Sequence, residues 1–276
     1  MRRLVAVGLG ILAIGCARPP QVLHLSTTTS VDNTGLLAVL LPAFKIESGI
    51  DVQAVAVGSG RALAILERGD ADAALAHDPD AEQKVIDAGR VASYRKIMYN
   101  DFVIACPAAD PAGVRGTKGA LDAMRRIAAS GAPFVSRGDS SGTHSRELQL
   151  WREAGATPQG AALIDAGQGM AATLRIASER EAYVLTDRAT LAQLAPTLRL
   201  GIVSEGDPIL INTYAILVRA GLTGDRRANA ERFSLWIGEG PGRTRIEEFR
   251  VRGQPGFFPW PAGRPHGATT DLPHAR

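Results

Sequence analysis

Residues 136 to 151, "SRGDSSGTHSRELQLW", set one arginine, one aspartate and a cluster of hydroxyls around two glycines, just ahead of a helical pattern. Gly142 and the serines then fall at a helix start. Backbone N–H groups there have no intrahelical partner and carry partial positive charge, so an anion is their natural occupant. Arg137 adds a full charge and a fork of donors shaped for an oxyanion. Asp139 has two readings: it holds the Arg137 guanidinium in one rotamer, or with Ser141 it caps the following helix. A further reading is catalytic, with Ser140 or Ser141 as nucleophile and His144 as base. Gly138-Asp139-Ser140-Ser141-Gly142 has the letters of the G-x-S-x-G elbow around Ser140, but Ser141 and His144 lie only three apart at a helix start, where neutral hydroxyls and backbone amides dominate. His, Cys and carboxylates do not cluster at metal-ligand spacing, and the P-loop with its lysine is missing, so no metal or cofactor is expected.

Comparable loops recur along the chain. Ser26 to Ser30, "STTTS", gives five hydroxyl residues in a row, Thr28 and Thr29 among them. "GSG" places Ser59 between Gly58 and Gly60, where backbone can approach a ligand closely. His77, in "LAHDP", faces a ligand or is an ordinary loop histidine, and Asp78 before Pro79 is positioned to cap a helix. Gly167 and Gly169, in "AGQGMAATLRIASE", precede one more helix, where turn chemistry alone also explains glycine. In "LTDRAT", Asp187 reads as an N-cap and Arg188 as a solvated charge.

Short β-rich runs alternate with helical patterns up to about residue 240, the pattern of an α/β fold with helices flanking a mostly parallel sheet. The spacing predicts a strand over 22–25, a polar turn over "STTTSVDN", and a helix over 34–48 with a kink or boundary at Pro42. A strand over 51–57, a helix over 61–69 and a strand over 71–76 follow. A short strand over 132–135 precedes the quoted stretch, whose helix would carry Leu148 and Trp151 on one face. Each strand ends in a loop of small polar residues, and in such sheets ligands bind outside the carboxyl ends of the strands. Two apolar stretches, 97–107 and 209–218, stand apart, as expected of a chain that leaves one lobe, builds a second and returns.

The 276 residues suffice for one large domain or two modest ones. Arg2 and Arg3, the apolar run Leu4 to Ile14 and the small residues that follow read as an export signal, too short to span a bilayer. "AIGC" resembles a lipobox that would place lipid on Cys16; ordinary cleavage after Ala17 is the alternative. With Cys16 lipidated, Cys106 has no disulfide partner and reads as a buried thiol. Net charge is 31 − 28 = +3, or +1 without Arg2 and Arg3, and basic runs with interleaved aromatics are missing, which argues against nucleic acid.

Several long motifs resemble those of the periplasmic anion-binding components of ABC transporters and, within them, the tungstate-binding proteins: "STTTSVDNTGLL", "GSGRAL", "LAHDP", "IMYNDFVIACP", "SRGDSSGTHSRE", "GQGMAATLRIASEREAYVLTDRAT" and "INTYAILV". The resemblance implies a type II two-lobed fold with two crossover strands, lobe 1 over 22–102 and 211–262 and lobe 2 over 103–210; the leader spans 1–16, and the tail over 263–276, rich in Pro, Gly and polar residues, is expected to be disordered. The resemblance also implies an ion cleft with Thr28, Thr29 and Ser59 donating from the first lobe and Arg137, Ser141, Gly142 and Thr143 from the second. Ser30, Gly60, His77, Asp139, Gly169 and Met170 would stand nearby. The phosphate-binding relatives carry an aspartate, where this chain has His77, to accept the proton that phosphate retains. Tungstate, molybdate and sulfate carry no such proton and would be repelled by that carboxylate. The implied protein is an exported monomer in the periplasm or cell envelope that gives tungstate, or molybdate, to an ABC permease.

Overall fold

The structure is a computed structural model that describes residues 21–139 and 141–267. The leader with Cys16, Ser140, and residues 268–276 of the expected tail lie outside the described residues.

The chain opens with β1 (Gln21–Thr28), α1 (Thr29–Asn33), α2 (Leu36–Ser48), β2 (Ile50–Val57), α3 (Ser59–Arg68), β3 (Ala73–Ala76) and α4 (Pro79–Asp87). A 16-residue strand, β4 (Val91–Cys106), follows. After it come α5 (Ala120–Ser130), β5 (Phe134–Ser136), α6 (Gly142–Ala154), β6 (Leu163–Asp165), α7 (Met170–Glu179), β7 (Tyr183–Asp187), α8 (Arg188–Leu194) and β8 (Gly201–Ser204). The chain returns through β9 (Ile211–Arg219), α9 (Gly224–Gly238), α10 (Pro241–Glu248) and the short strands β10 (Arg250–Val251), β11 (Gln254–Pro255) and β12 (Phe258–Pro259).

The main sheet runs β2-β1-β3-β9-β4-β7-β5-β6. Its outer strands are parallel, β1 with β2 and β3, and β5 with β6 and β7. The strands between them, β9 and β4, are antiparallel to their neighbours. β4 changes partner along its length: Val91 to Asp101 pair with β9, and Phe102 to Ala105 pair with β7. One continuous strand thus belongs to both halves of the molecule.

Each half has three layers because strand side chains alternate between faces. On β9, Tyr214, Ile216 and Val218 face the core built with α2 and α9, whereas Ala215 and Leu217 face the one built with α3 and α4. On β4, Phe102, Ile104 and Cys106 enter one core of the second half and Val103 and Ala105 the other. In α2, Leu36, Leu37, Leu40 and Phe44 form the buried stripe. Phe44 packs edge-on to Phe233 with centroids 5.0 Å apart, and burying a ring of this size contributes about 2 kcal/mol.

Three local expectations change. β1 runs on through Ser26, Thr27 and Thr28, because its pairing with β2 continues to Thr28 opposite Val57; the polar segment is half strand and half short helix. α2 is not interrupted at Pro42. Pro42 and Ala38 are both exposed, so solvent can take the carbonyl that proline leaves without a donor. In α6 the buried face is Glu147, Leu150, Trp151 and Ala154, while Leu148 is 44% exposed and does not join Trp151. Cys106 is a buried free thiol whose pKa burial pushes up to about 11.

Candidate functional site

All the singled-out loops leave the carboxyl end of a strand and enter a helix, and they meet where the two halves adjoin. Thr28 ends β1 and caps α1, its Oγ1 accepting from Val31 N–H. Thr29 and Ser30 open α1, and Ser59 and Gly60 open α3. His77 follows β3, and Asp78 caps α4 by accepting from Ala81 N–H. In the second half, Arg137 and Asp139 lie between β5 and α6, Ser141 caps α6, and Gly142 and Thr143 begin it. Gly169 caps α7 and Met170 begins it.

Arg137 is 2% exposed although it carries a full charge, and such a group is tolerated only when paired. Asp139 supplies the pairing: its Oδ2 lies 3.0 Å from Arg137 Nε and 2.9 Å from Nη2. The other oxygen, Oδ1, accepts from Ser141 N–H at 3.2 Å. Asp139 therefore both steadies the arginine and braces the loop. Behind them, buried Glu147 accepts from Arg137 N–H at 3.2 Å, and burial pushes its pKa up to about 7.

The hydroxyls share one arrangement: each accepts from a protein donor, which leaves its own proton to point elsewhere. Thr28 accepts from Val31 N–H and Ser59 from His77 N–H, both at 3.4 Å. Ser141 accepts from His144 N–H at 3.2 Å. Arg137 donates to Thr29 Oγ1 in the other half at 3.4 Å and to Thr143 Oγ1 at 3.5 Å. The Ser141–His144 contact is therefore a backbone helix cap.

The two halves touch closely at this point. An ideal Cβ on Gly142 would overlap the His77 carbonyl oxygen and lie 2.9 Å from the ring, so glycine is what allows the approach. One on Gly58 would lie 3.6 Å from Ser141 Cα, and one on Gly169 would lie 4.0 Å from Thr29 Oγ1. Ser145 Oγ donates to Asp78 Oδ2 at 2.6 Å, and Arg146 to the Ile211 carbonyl at 3.3 Å. Gly60 is half-buried and adds no side chain. Met170 contributes only its position at the start of α7, since its side chain is buried in the core with Val103 and Leu174.

His77 is 3% exposed, and burial lowers its pKa to about 4. It joins a buried polar network that the loops alone did not announce: Nε2 to Ser30 Oγ at 3.1 Å, and Nδ1 to Asn212 Oδ1 at 3.0 Å. Asn212 and Tyr214 come from β9; the asparagine inside the otherwise apolar "ILINTYAILV" was the available signal, because a polar side chain there must find a partner. Asp187 caps α8 through Thr190 N–H, as its sequence position predicts. Its Oδ2 has no protein partner, and burial raises its pKa, favouring the neutral acid. Among the described residues, no group of three or more His, Cys, Asp or Glu is placed to hold a metal ion, and no helix is long and apolar enough to cross a membrane.

Residues 17–237 match the family model of the PBP superfamily domain. The tungstate-binding protein TupA of Peptoclostridium acidaminophilum is 37% identical over 244 residues, covering 85% of this chain and 84% of that protein. The solved structure of the tungstate-binding protein TupA from Desulfovibrio alaskensis G20 is 40% identical, with a TM-score of 0.75, covering 87% of this chain and 99% of that one. The crystal structure of the tungstate ABC transporter from Geobacter sulfurreducens is similar at 38% identity, with a TM-score of 0.74, covering 83% of this chain and 98% of that one.

Proposed function

This chain belongs to the PBP superfamily and, within it, to the family of the tungstate-binding proteins, and on that premise we propose that it captures tungstate between its halves and delivers it to an ABC permease. It is a solute-binding protein and not an enzyme, as the proteins it resembles are. The supporting observation is the set of hydroxyls at the junction: Thr28, Thr29, Ser59, Ser141 and Thr143 each accept a hydrogen bond from a protein donor, which favours turning the hydroxyl proton toward an anion. Arg137 adds the charge, and the Gly142 backbone the close approach.

The two halves act as lobes, 22–102 with 211–262 against 103–210, moving about β4 and β9. Each hydrogen bond to a charged group contributes about 1.5 to 3 kcal/mol. About six of them give roughly 9 to 18 kcal/mol, a range that spans the roughly 12 kcal/mol of nanomolar binding, with desolvation and closure set against it. The protein works as an exported monomer in the periplasm or cell envelope, anchored where Cys16 is acylated.

Calorimetric titration with tungstate, molybdate, sulfate and inorganic phosphate tests this reading. The expected order is tungstate first, molybdate next and phosphate weakest. Heat from none of the four would overturn it.

A further inference from the structure

The paired strands β4 and β9 separate two environments. Asn100 stands opposite Asn212 in their ladder, and Asp101 opposite Ile211, and strand side chains alternate between faces. Asn100 and Asn212 turn to the side of the anion junction: Asn212 donates to Asn100 Oδ1 at 2.8 Å, and its Oδ1 lies 3.0 Å from His77 Nδ1. Tyr99, Asp101 and Ile211 turn to the other side, onto a cavity of about 560 Å³. The cavity straddles the two halves, since α8 and β8 supply Leu191 and Ile202 while the returning chain supplies Val251 and Phe258. Sites for small molecules have this size, about 300–1,000 Å³, and this mainly apolar lining.

Among the described residues, the charged members of the wall are Asp101, Arg188 and Glu205. Arg188 donates to Asp101 from Nε at 2.8 Å and from Nη2 at 2.5 Å, and from Nη2 to Glu205 at 2.5 Å. One guanidinium thus serves two carboxylates, and the wall keeps an uncompensated negative charge next to the half-exposed Glu205.

We propose that this cavity is a second ligand site, for a small organic cation with an apolar body, and that its occupant holds the halves closed on the anion. The apolar body packs on Leu191, Ile202, Val251 and Phe258, and the cationic end meets Asp101 and Glu205. The inference rests on the reading above of the halves as lobes that move about β4 and β9. The cavity and the anion junction lie on opposite sides of those strands, so a rotation that parts the junction narrows the cavity. A molecule lodged in the cavity resists that rotation, and by linkage the cation and tungstate each tighten the binding of the other.

The test titrates benzylammonium, benzyl alcohol and phenylacetate into the wild type by calorimetry at neutral pH, with and without tungstate. Benzylammonium is expected to bind tighter than the alcohol by up to about fivefold, with phenylacetate weakest, and at saturation to raise tungstate affinity at least about fivefold. Glu205→Gln removes the preference for the ammonium over the alcohol and leaves tungstate affinity in the absence of amine unchanged. Ala192→Trp fills the cavity, so it loses the amine and releases tungstate about fivefold more slowly. No binding of benzylammonium, equal binding of benzylammonium and phenylacetate, a tungstate affinity indifferent to the amine, or full amine binding by folded Ala192→Trp would each overturn the proposal. If Ala192→Trp does not fold, the comparison of the three compounds on the wild type and Glu205→Gln decides. Wild-type protein that binds the amine but neither tungstate nor molybdate would instead bring down the functional reading, with the ligand class of the cavity upheld.

Discussion

The two halves bring opposite chemistry to the same junction. Thr28, Thr29, Ser30, Ser59 and a neutral His77, from the first half, are uncharged and tied into a hydrogen-bond network reaching Asn212 and Tyr214 on β9. The second half contributes the buried charge, Arg137, held by Asp139. The buried charge thereby sits on one wall, and the other presents uncharged hydroxyls. What both share is a glutamate behind the loop: Glu82 accepts from Asp78 N–H at 2.9 Å and Glu147 from Arg137 N–H at 3.2 Å.

Removing the charged wall should have the largest effect. Arg137→Ala deletes the cation and leaves Asp139 facing the anion; breaking a buried pair costs about 3–5 kcal/mol, which is on the order of a thousandfold in tungstate affinity. Calorimetry giving less than about a tenfold loss would mean that the neutral wall dominates.

Keeping both walls from meeting should come next. Gly142→Ala puts a methyl group into the His77 carbonyl, and overpacking of this kind costs about 1–3 kcal/mol, or roughly tenfold to hundredfold. Affinity unchanged in this variant would show that the halves need not approach as closely as they do in this structure.

The shared glutamates should give the smallest effect, seen in stability. Burial pushes both pKa values up from 4.5 to about 7. The folded protein therefore retains protons that the unfolded chain has already released, so their contribution to stability declines as pH rises from 4.5 to about 7 and is flat above that. Glu82→Gln and Glu147→Gln should each flatten part of that decline, by a few degrees in Tm. Melting curves of the double variant that keep the full wild-type slope would place the titration elsewhere.

Much of this arrangement was legible in the sequence because it is local. Hydroxyls after strands, glycines before helices and an Arg-x-Asp pair are short-range patterns, and the structure puts them at strand ends with Asp139 on Arg137. The hidden parts depend on register and distance. That β1 extends through Thr28 follows from its pairing with β2, not from its own polar residues. That His77 is clamped by Asn212 links positions 135 residues apart. Met170 sits in a loop motif beside the junction, yet its position as the first residue of α7 turns its side chain into the core.

The sheet order also dictates when each half can be completed. β9 lies between β3 and β4 although it begins at Ile211, long after β4 has ended at Cys106. A chain emerging amino end first must therefore hold β3 and β4 with unpaired edges, the kind of surface that recruits wrong partners, until β9 arrives to join them. The far part of β4 and β5 to β8 are already contiguous by Ser204. Assembly thus has a built-in order, with the wall that carries Arg137 first and the hydroxyl wall sealed last.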